Sequence, residues 1–282
     1  MKPCLNSSIV RERELTSFLD IAFRAGYTAV DVDIRQLEHL EWPQVKELFT
    51  ERNLEIGSFG LPIDVYADEE VFQEELGKLE KRVELALALG AKSCCTWLWP
   101  SIDEPPVPYA ARLAKRFRLI ANVLAPYGIR LGLEFVGPHH LRNKAYPFVY
   151  TLKDTLEYID GIGASNIGLL LDSYHWYTTE GTIDDLLSLS PKQIVHVHVN
   201  DTDQAPSDAH DGERLLPGEG VINLTGFFQA LDNIHYTGPV SIEVLHKEPF
   251  LEEDDQIAKK AFEGVQGFLQ KIESEKKFSV KE

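Results

Sequence analysis

The feature that most constrains this chain is an alternation of short β-rich runs with helical patterns, repeated eight times without a linker or low-complexity break. Pro3–Leu5, Ala29–Ile34, Leu54–Gly60 and Lys92–Leu98 read as strands one to four. Ile129–Phe135, Ile167–Asp172, Ile194–Asn200 and Pro239–Leu245 read as strands five to eight. The intervening helices are expected over Glu14–Ala25, Trp42–Arg52, Asp68–Leu89, Tyr109–Tyr127, Leu152–Ile159, Ile183–Leu189 and Leu224–Asn233, with Asp255–Ile272 closing the chain. Gly26, Gly90 and Gly128 stop three of them, and Pro43 sits in the first turn of another. Uninterrupted strand–helix alternation means a parallel sheet with helices outside it. Eight units favour a closed (β/α)8 TIM barrel over an open doubly wound sheet. The 282 residues suit one such barrel, which takes roughly 250. The predicted organisation is one barrel over residues 1–273 and a charged C-terminal tail, 274–282, that frays.

A parallel barrel builds its site at the carboxyl ends of its strands. Four consecutive strands end alike: Glu134 in LGLEFVG, Asp172 in LLLDSYH, His198 in HVHVND and Glu243 in SIEVL. The sixth strand is the sharpest case. Leu169–Leu171 is a run suited to burial on both faces, and it stops on a carboxylate. Taken alone, Asp172 could as well serve in a buried salt bridge or as a helix N-cap. Alternation places Glu134 on one face with Gly132, His198 with His196 and Glu243 with Ser241. Three carboxylates and an imidazole converging without a Lys or Arg would repel, and a divalent cation resolves that. The donor set favours Mn²⁺, Co²⁺, Mg²⁺ or Zn²⁺ over copper or an iron–sulfur cluster. His196 reads as a core or supporting imidazole, and His210, in an acidic loop, as solvated. His139 and His140 follow Glu134 in a loop within reach of a substrate. Trp97 and Trp99 read as barrel or pocket-wall packing.

Charge and cysteine content narrow the partners. With 28 basic and 45 acidic residues the net charge is −17, which disfavours nucleic acid. Cys4, Cys94 and Cys95 are an odd count with an adjacent pair, so reduced thiols and a cytoplasmic setting are expected. No segment approaches the ~18 apolar residues of a membrane span. A homo-oligomer is compatible with the sequence. No Gly-rich dinucleotide fingerprint or phosphate loop follows any strand. Together with the acidic balance, that disfavours a phosphorylated, dianionic substrate.

The order Glu134, Asp172-x-x-His175, His198, Arg214-x-x-Pro-Gly, Glu243 resembles the xylose isomerase-like barrel superfamily of sugar isomerases and epimerases. The segments LGLEFVG, NIGLLLDSYHW, HVNDT and LPGEGVIN resemble its 2-keto-myo-inositol isomerase branch most. The resemblance is strongest from about residue 125 to 245, and the first half matches in pattern rather than in motif. It implies a metal held by Glu134, Asp172, His198 and Glu243, with His175 and Arg214 binding substrate. The expected reaction is proton transfer beside a carbonyl, with Glu134 and Glu243 as the acid–base pair and no organic cofactor. The same enediolate also leads to elimination, so a lyase or dehydratase of keto-sugars, keto-inositols or keto-glycosides is the main alternative. A sugar-binding protein without catalysis is disfavoured by the intact quartet. The related endonuclease IV-type repair enzymes need further zinc ligands where this chain has Phe59, Trp97 or a neighbour, and Arg214, so that reading is rejected.

Overall fold

A computed structural model of the chain describes residues 1–38 and 40–279. Its eight principal strands are β1 (Lys2–Leu5), β2 (Ala29–Val32), β3 (Glu55–Gly60), β4 (Ser93–Leu98), β5 (Arg130–Phe135), β6 (Ile167–Asp172), β7 (Ile194–Val199) and β8 (Pro239–Ile242). Each pairs in parallel with its neighbours in sequence, and β8 returns to pair with β1, closing the barrel. The helices are α1 (Leu15–Ala25), α2 (Trp42–Glu51), α3 (Glu69–Ala88), α4 (Pro106–Leu124), α5 (Leu152–Ile162), α6 (Ser173–Thr178), α7 (Ile183–Leu187), α8 (Leu224–Asn233) and α9 (Asp254–Ser279). The predicted (β/α)8 fold is what forms.

Local chemistry fixes the elements. The Glu14 carboxylate accepts the Thr16 and Ser17 N–H groups and so caps α1, which ends at Gly26 in a left-handed conformation, φ 99°. In β6 the side chains alternate between two apolar environments. Leu169 and Leu171 join the core between barrel and helices, while Leu170 packs inside the barrel with Cys95 and Val195. Burying each such leucine stabilises by ~1.5–3 kcal/mol. A Cβ on Gly132 would lie 2.9 Å from Cys95 Sγ and 3.3 Å from Val195 Cβ, so this inner layer needs glycine there. The plug gives the pocket at the carboxyl ends a closed apolar floor.

Three local differences from the sequence reading have physical causes. Helix α4 starts at Pro106 instead of Tyr109, because prolines in a first turn forfeit only N–H groups that have no helical partner. Helix α6, not predicted, is nucleated by Asp172, whose Oδ1 accepts the Tyr174 N–H at 2.6 Å. Helix α9 runs past its predicted end at Ile272 as far as Ser279; residues 280–282 of the predicted fraying tail lie outside the described residues. No helix among the described residues is long and apolar enough to cross a membrane.

Candidate metal centre

Strand register brings the four predicted residues together. Asp172 ends β6 and pairs with His198 on β7, which pairs with Ser241 on β8. Glu134 is the penultimate residue of β5, and Glu243 follows the last residue of β8. One donor atom from each of Glu134, Asp172, His198 and Glu243 lies within 4.8 Å of all the others. His198 Nδ1 faces all three carboxylates, at 3.4 Å from Glu243 Oε2, 3.6 Å from Glu134 Oε1 and 4.0 Å from Asp172 Oδ2. Both Glu134 Oε1 and His198 Nδ1 are buried without a hydrogen-bond partner. Leaving such atoms unsatisfied is costly, and one cation between them would engage both. The residues present fit a divalent ion.

The expectation that no Lys or Arg compensates these charges is wrong. Arg214 is 1% exposed, and its Nη1 donates to Asp172 Oδ2 at 3.0 Å and to Glu243 Oε2 at 3.1 Å. Its Nη2 donates to Asp211 Oδ1 at 2.8 Å and lies 3.3 Å from His175 Nε2. Three carboxylates therefore hold the guanidinium behind the quartet. The resemblance implied substrate contacts for Arg214 and His175; both are buried, and Arg214 donates to Glu243, which lines the cavity. Asn200, given no role by the sequence reading, donates from Nδ2 to both Asp172 oxygens at 3.1 and 3.2 Å and to the Glu243 carbonyl at 3.0 Å. Asp172 thus serves as helix cap and buried ion-pair partner as well as candidate ligand.

These contacts set the carboxylates apart. Burial raises the Glu134 carboxyl above its ordinary range, and its neighbours do not reverse that. Burial acts the same way on Glu243, but His198 and Arg214 outweigh it and hold that carboxyl below the ordinary range. For Asp172 burial is again opposed, by Arg214, His175 and His198, and the group is lowered to about 2. Burial disfavours the His198 imidazolium, yet Glu243, Asp31 and Glu134 together raise its pKa well above the usual value.

The cavity in front of the quartet has a volume of about 290 Å³. Glu134, His198 and Glu243 form one side; Asp31, Asp33, Arg35, Ser58, Gly60 and Trp97 are among the residues on the others. Trp97 is 39% exposed and packs edge-on against Trp99 at 4.4 Å, as a pocket wall should. The inward positions on β3 are Ser58 and Gly60, while Phe59 joins the outer core, so that strand offers no histidine or carboxylate to a further metal. His210 is not freely solvated as expected. It is half-buried and stacks on His140 with ring centres 3.8 Å apart.

Sequence reasoning also missed Asp31, a buried carboxylate on β2. Its Oδ2 lies 3.1 Å from His196 Nε2 and 3.5 Å from His198 Nε2, and its Oδ1 accepts the Cys4 thiol at 3.3 Å. His196 is buried and faces this carboxylate.

A family profile described as xylose isomerase-like TIM barrel matches residues 19–271. The chain belongs to that family. A xylose isomerase domain protein of known structure from Alicyclobacillus acidocaldarius is 44% identical to this xylose isomerase-like barrel; the match covers 96% of this chain and 98% of that one, with a TM-score of 0.93. An inosose isomerase of Bacillus velezensis is 26% identical over 94% of this chain and 97% of its own. An L-ribulose 3-epimerase of a Methylomonas species is 25% identical over 80% and 77% respectively. The similarity of this xylose isomerase-like barrel therefore extends to enzymes that isomerise and epimerise sugars or inososes.

Proposed function

We propose that the protein is a metal-dependent isomerase or epimerase of a ketose or keto-inositol that works through an enediolate. The observation that carries this reading is the convergence of Glu134, Asp172, His198 and Glu243 on one point, with two buried donor atoms left without partners. A divalent cation held by these four, Mn²⁺ first and Co²⁺, Mg²⁺ or Zn²⁺ as alternatives, would supply Lewis-acid polarisation of the substrate's ketone oxygen.

The chain's own groups supply the rest. Glu243, 3.1 Å from Arg214, and Glu134 are the pair suited to proton transfer at the carbon next to the carbonyl. One would take the proton and the other return it, to the same or the adjacent carbon. The two stand on strands β5 and β8, so each can serve one face of a planar enediolate. Trp97 offers an apolar wall to a sugar ring, and Asp33 and Arg35, in the same wall, offer hydrogen bonds to hydroxyls. Arg35 is already paired with Asp33, which supports an unphosphorylated substrate rather than a dianion. The inosose isomerase and ribulose epimerase relatives support a polyol ketone as substrate class. All three cysteines are free and buried, in keeping with a reducing, cytoplasmic setting.

The test is metal analysis of the purified protein together with NMR of a keto-inositol and a free ketose incubated with it in D₂O. Deuterium at the carbon beside the carbonyl, lost on chelation, is the expected result. Loss of water instead of rearrangement would move the protein to the lyase class. A metal-free protein whose activity ignores chelators would overturn the reading, and two or three zinc ions per chain would reopen the nuclease branch.

A further inference from the structure

We infer that Asp31 is the positioning residue for His198: its carboxylate holds the imidazole proton on Nε2 and so leaves the Nδ1 lone pair facing Glu134, Asp172 and Glu243. The inference rests on the reading of that quartet as a cation centre. A metal-binding imidazole is oriented by the acceptor on its other nitrogen, and a carboxylate there also makes the ring a better donor. In this barrel that acceptor is a side chain from the opposite half of the sheet. Asp31 Oδ2 is the oxygen in front of His198 Nε2, at 3.5 Å, while Nδ1 has no hydrogen-bond partner of its own.

The surroundings of Asp31 fit a support and not a second cation site. Asp31, His196 and His198 do bring three donor groups together. Each Asp31 oxygen is nevertheless already engaged, Oδ1 by the Cys4 thiol and Oδ2 by His196 at 3.1 Å. Such contacts fix a carboxylate in place. The backbone leaves room for it: a Cβ on Gly57 would lie 2.6 Å from Cys4 Sγ and 3.1 Å from Asp31 Oδ1. The register ties the same groups into one layer, with Cys4 paired to Ser241, Ser241 to His198, and His198 to Asp172. Asp31 therefore faces the Nε2 edge of His198 while the three other quartet members face its Nδ1 edge.

The experiment compares wild type, Asp31→Asn and Asp31→Ala. It measures Mn²⁺ affinity by calorimetry, the visible absorption of the Co²⁺-loaded proteins, and thermal unfolding of the cation-free proteins. Both variants should bind Mn²⁺ ~10–100-fold more weakly, with altered Co²⁺ bands, because the imidazole is no longer oriented. Asp31→Asn preserves the shape of the side chain and decides the matter should Asp31→Ala fail to fold. A variant with lower unfolding temperature but wild-type affinity and Co²⁺ bands shows a merely structural role and overturns the inference alone. A wild-type protein that binds no cation overturns the cation centre itself, and this inference with it.

Discussion

The two halves of the barrel do different work. Strands β5 to β8 end in Glu134, Asp172, His198 and Glu243, and the long loop after β7 folds Arg214 and Asp211 in behind them. Strands β1 to β4 contribute no member of that quartet; Asp33, Arg35, Gly60, Leu61 and Trp97, at or near their ends, form the facing wall of the cavity. One half therefore holds the four candidate cation ligands, and the other forms most of the facing wall. Asp31 is the exception, a first-half carboxylate that reaches across the barrel axis to a second-half imidazole. The difference suits a fold whose relatives carry different substrates in their names, inosose in one and L-ribulose in another. The wall can vary without disturbing four strand ends held by register and by a buried guanidinium.

The largest effect should come from removing a quartet member. Asp172→Ala and His198→Ala are each expected to abolish tight cation binding and activity, measured by metal analysis and turnover, while circular dichroism stays barrel-like. Asp172→Ala should also cost about 3–5 kcal/mol of stability, since it strips a buried partner from Arg214. Full activity in either variant would break the division between the halves.

Next come the two candidate acid–base groups. Glu243→Gln keeps an amide oxygen that can still coordinate, so it should retain part of the metal. It cannot accept a proton, and turnover should fall by ~10²–10⁴-fold. Glu134→Gln should lose a similar factor, but the two can differ in which half-reaction survives. With Glu243 as the base, Glu134→Gln should still wash deuterium from D₂O into the substrate, while Glu243→Gln should do neither step. Near wild-type exchange and full metal in both variants would assign the proton to some other group.

How much of this was legible in the sequence depends on where each residue lies. The barrel and the quartet could be read because strands announce themselves by apolar alternation, and a carboxylate at the end of such a run stands out. Asp31 carried a signal that was overlooked. In AVDVDI the period of two puts Asp31 and Asp33 on one face with valine on the other, which in a barrel points two carboxylates inward. Asp211 carried none, because a single polar residue in a polar loop is unremarkable until the loop has folded, and Asn200 lay within a matching segment without a role to single it out. Arg214 was picked out by its motif, but not its place: only the folded loop shows three carboxylates closing on it. Helix α6 is too short for periodicity to reveal.

A smaller effect should follow from Gly57→Ala, which leaves every charge in place. The added methyl would have to push Cys4 and Asp31 aside. Mn²⁺ affinity should fall by less than in Asp31→Asn, and the Co²⁺ spectrum should shift in the same direction. An unchanged affinity would mean that the position of Asp31 matters less to the centre than its charge.

The smallest effect separates recognition from chemistry. Trp97 lines the cavity, 39% exposed, and is held by Trp99 at 4.4 Å and by the Tyr66 hydroxyl, which donates to the Trp97 carbonyl at 2.8 Å. Because Tyr66 grips the backbone, Trp97→Ala should remove the wall without moving the strand. A ring stacked on a sugar face contributes about 1 kcal/mol, a factor of roughly 5 in binding. That contact is equally available before and during proton transfer, so its loss is uniform. KM should therefore rise about 5-fold with kcat within a factor of 2, and Mn²⁺ affinity should be unaltered. A fall in kcat with KM unchanged would mean that the first-half wall helps the transition state specifically. The two halves would then share the chemistry instead of dividing it.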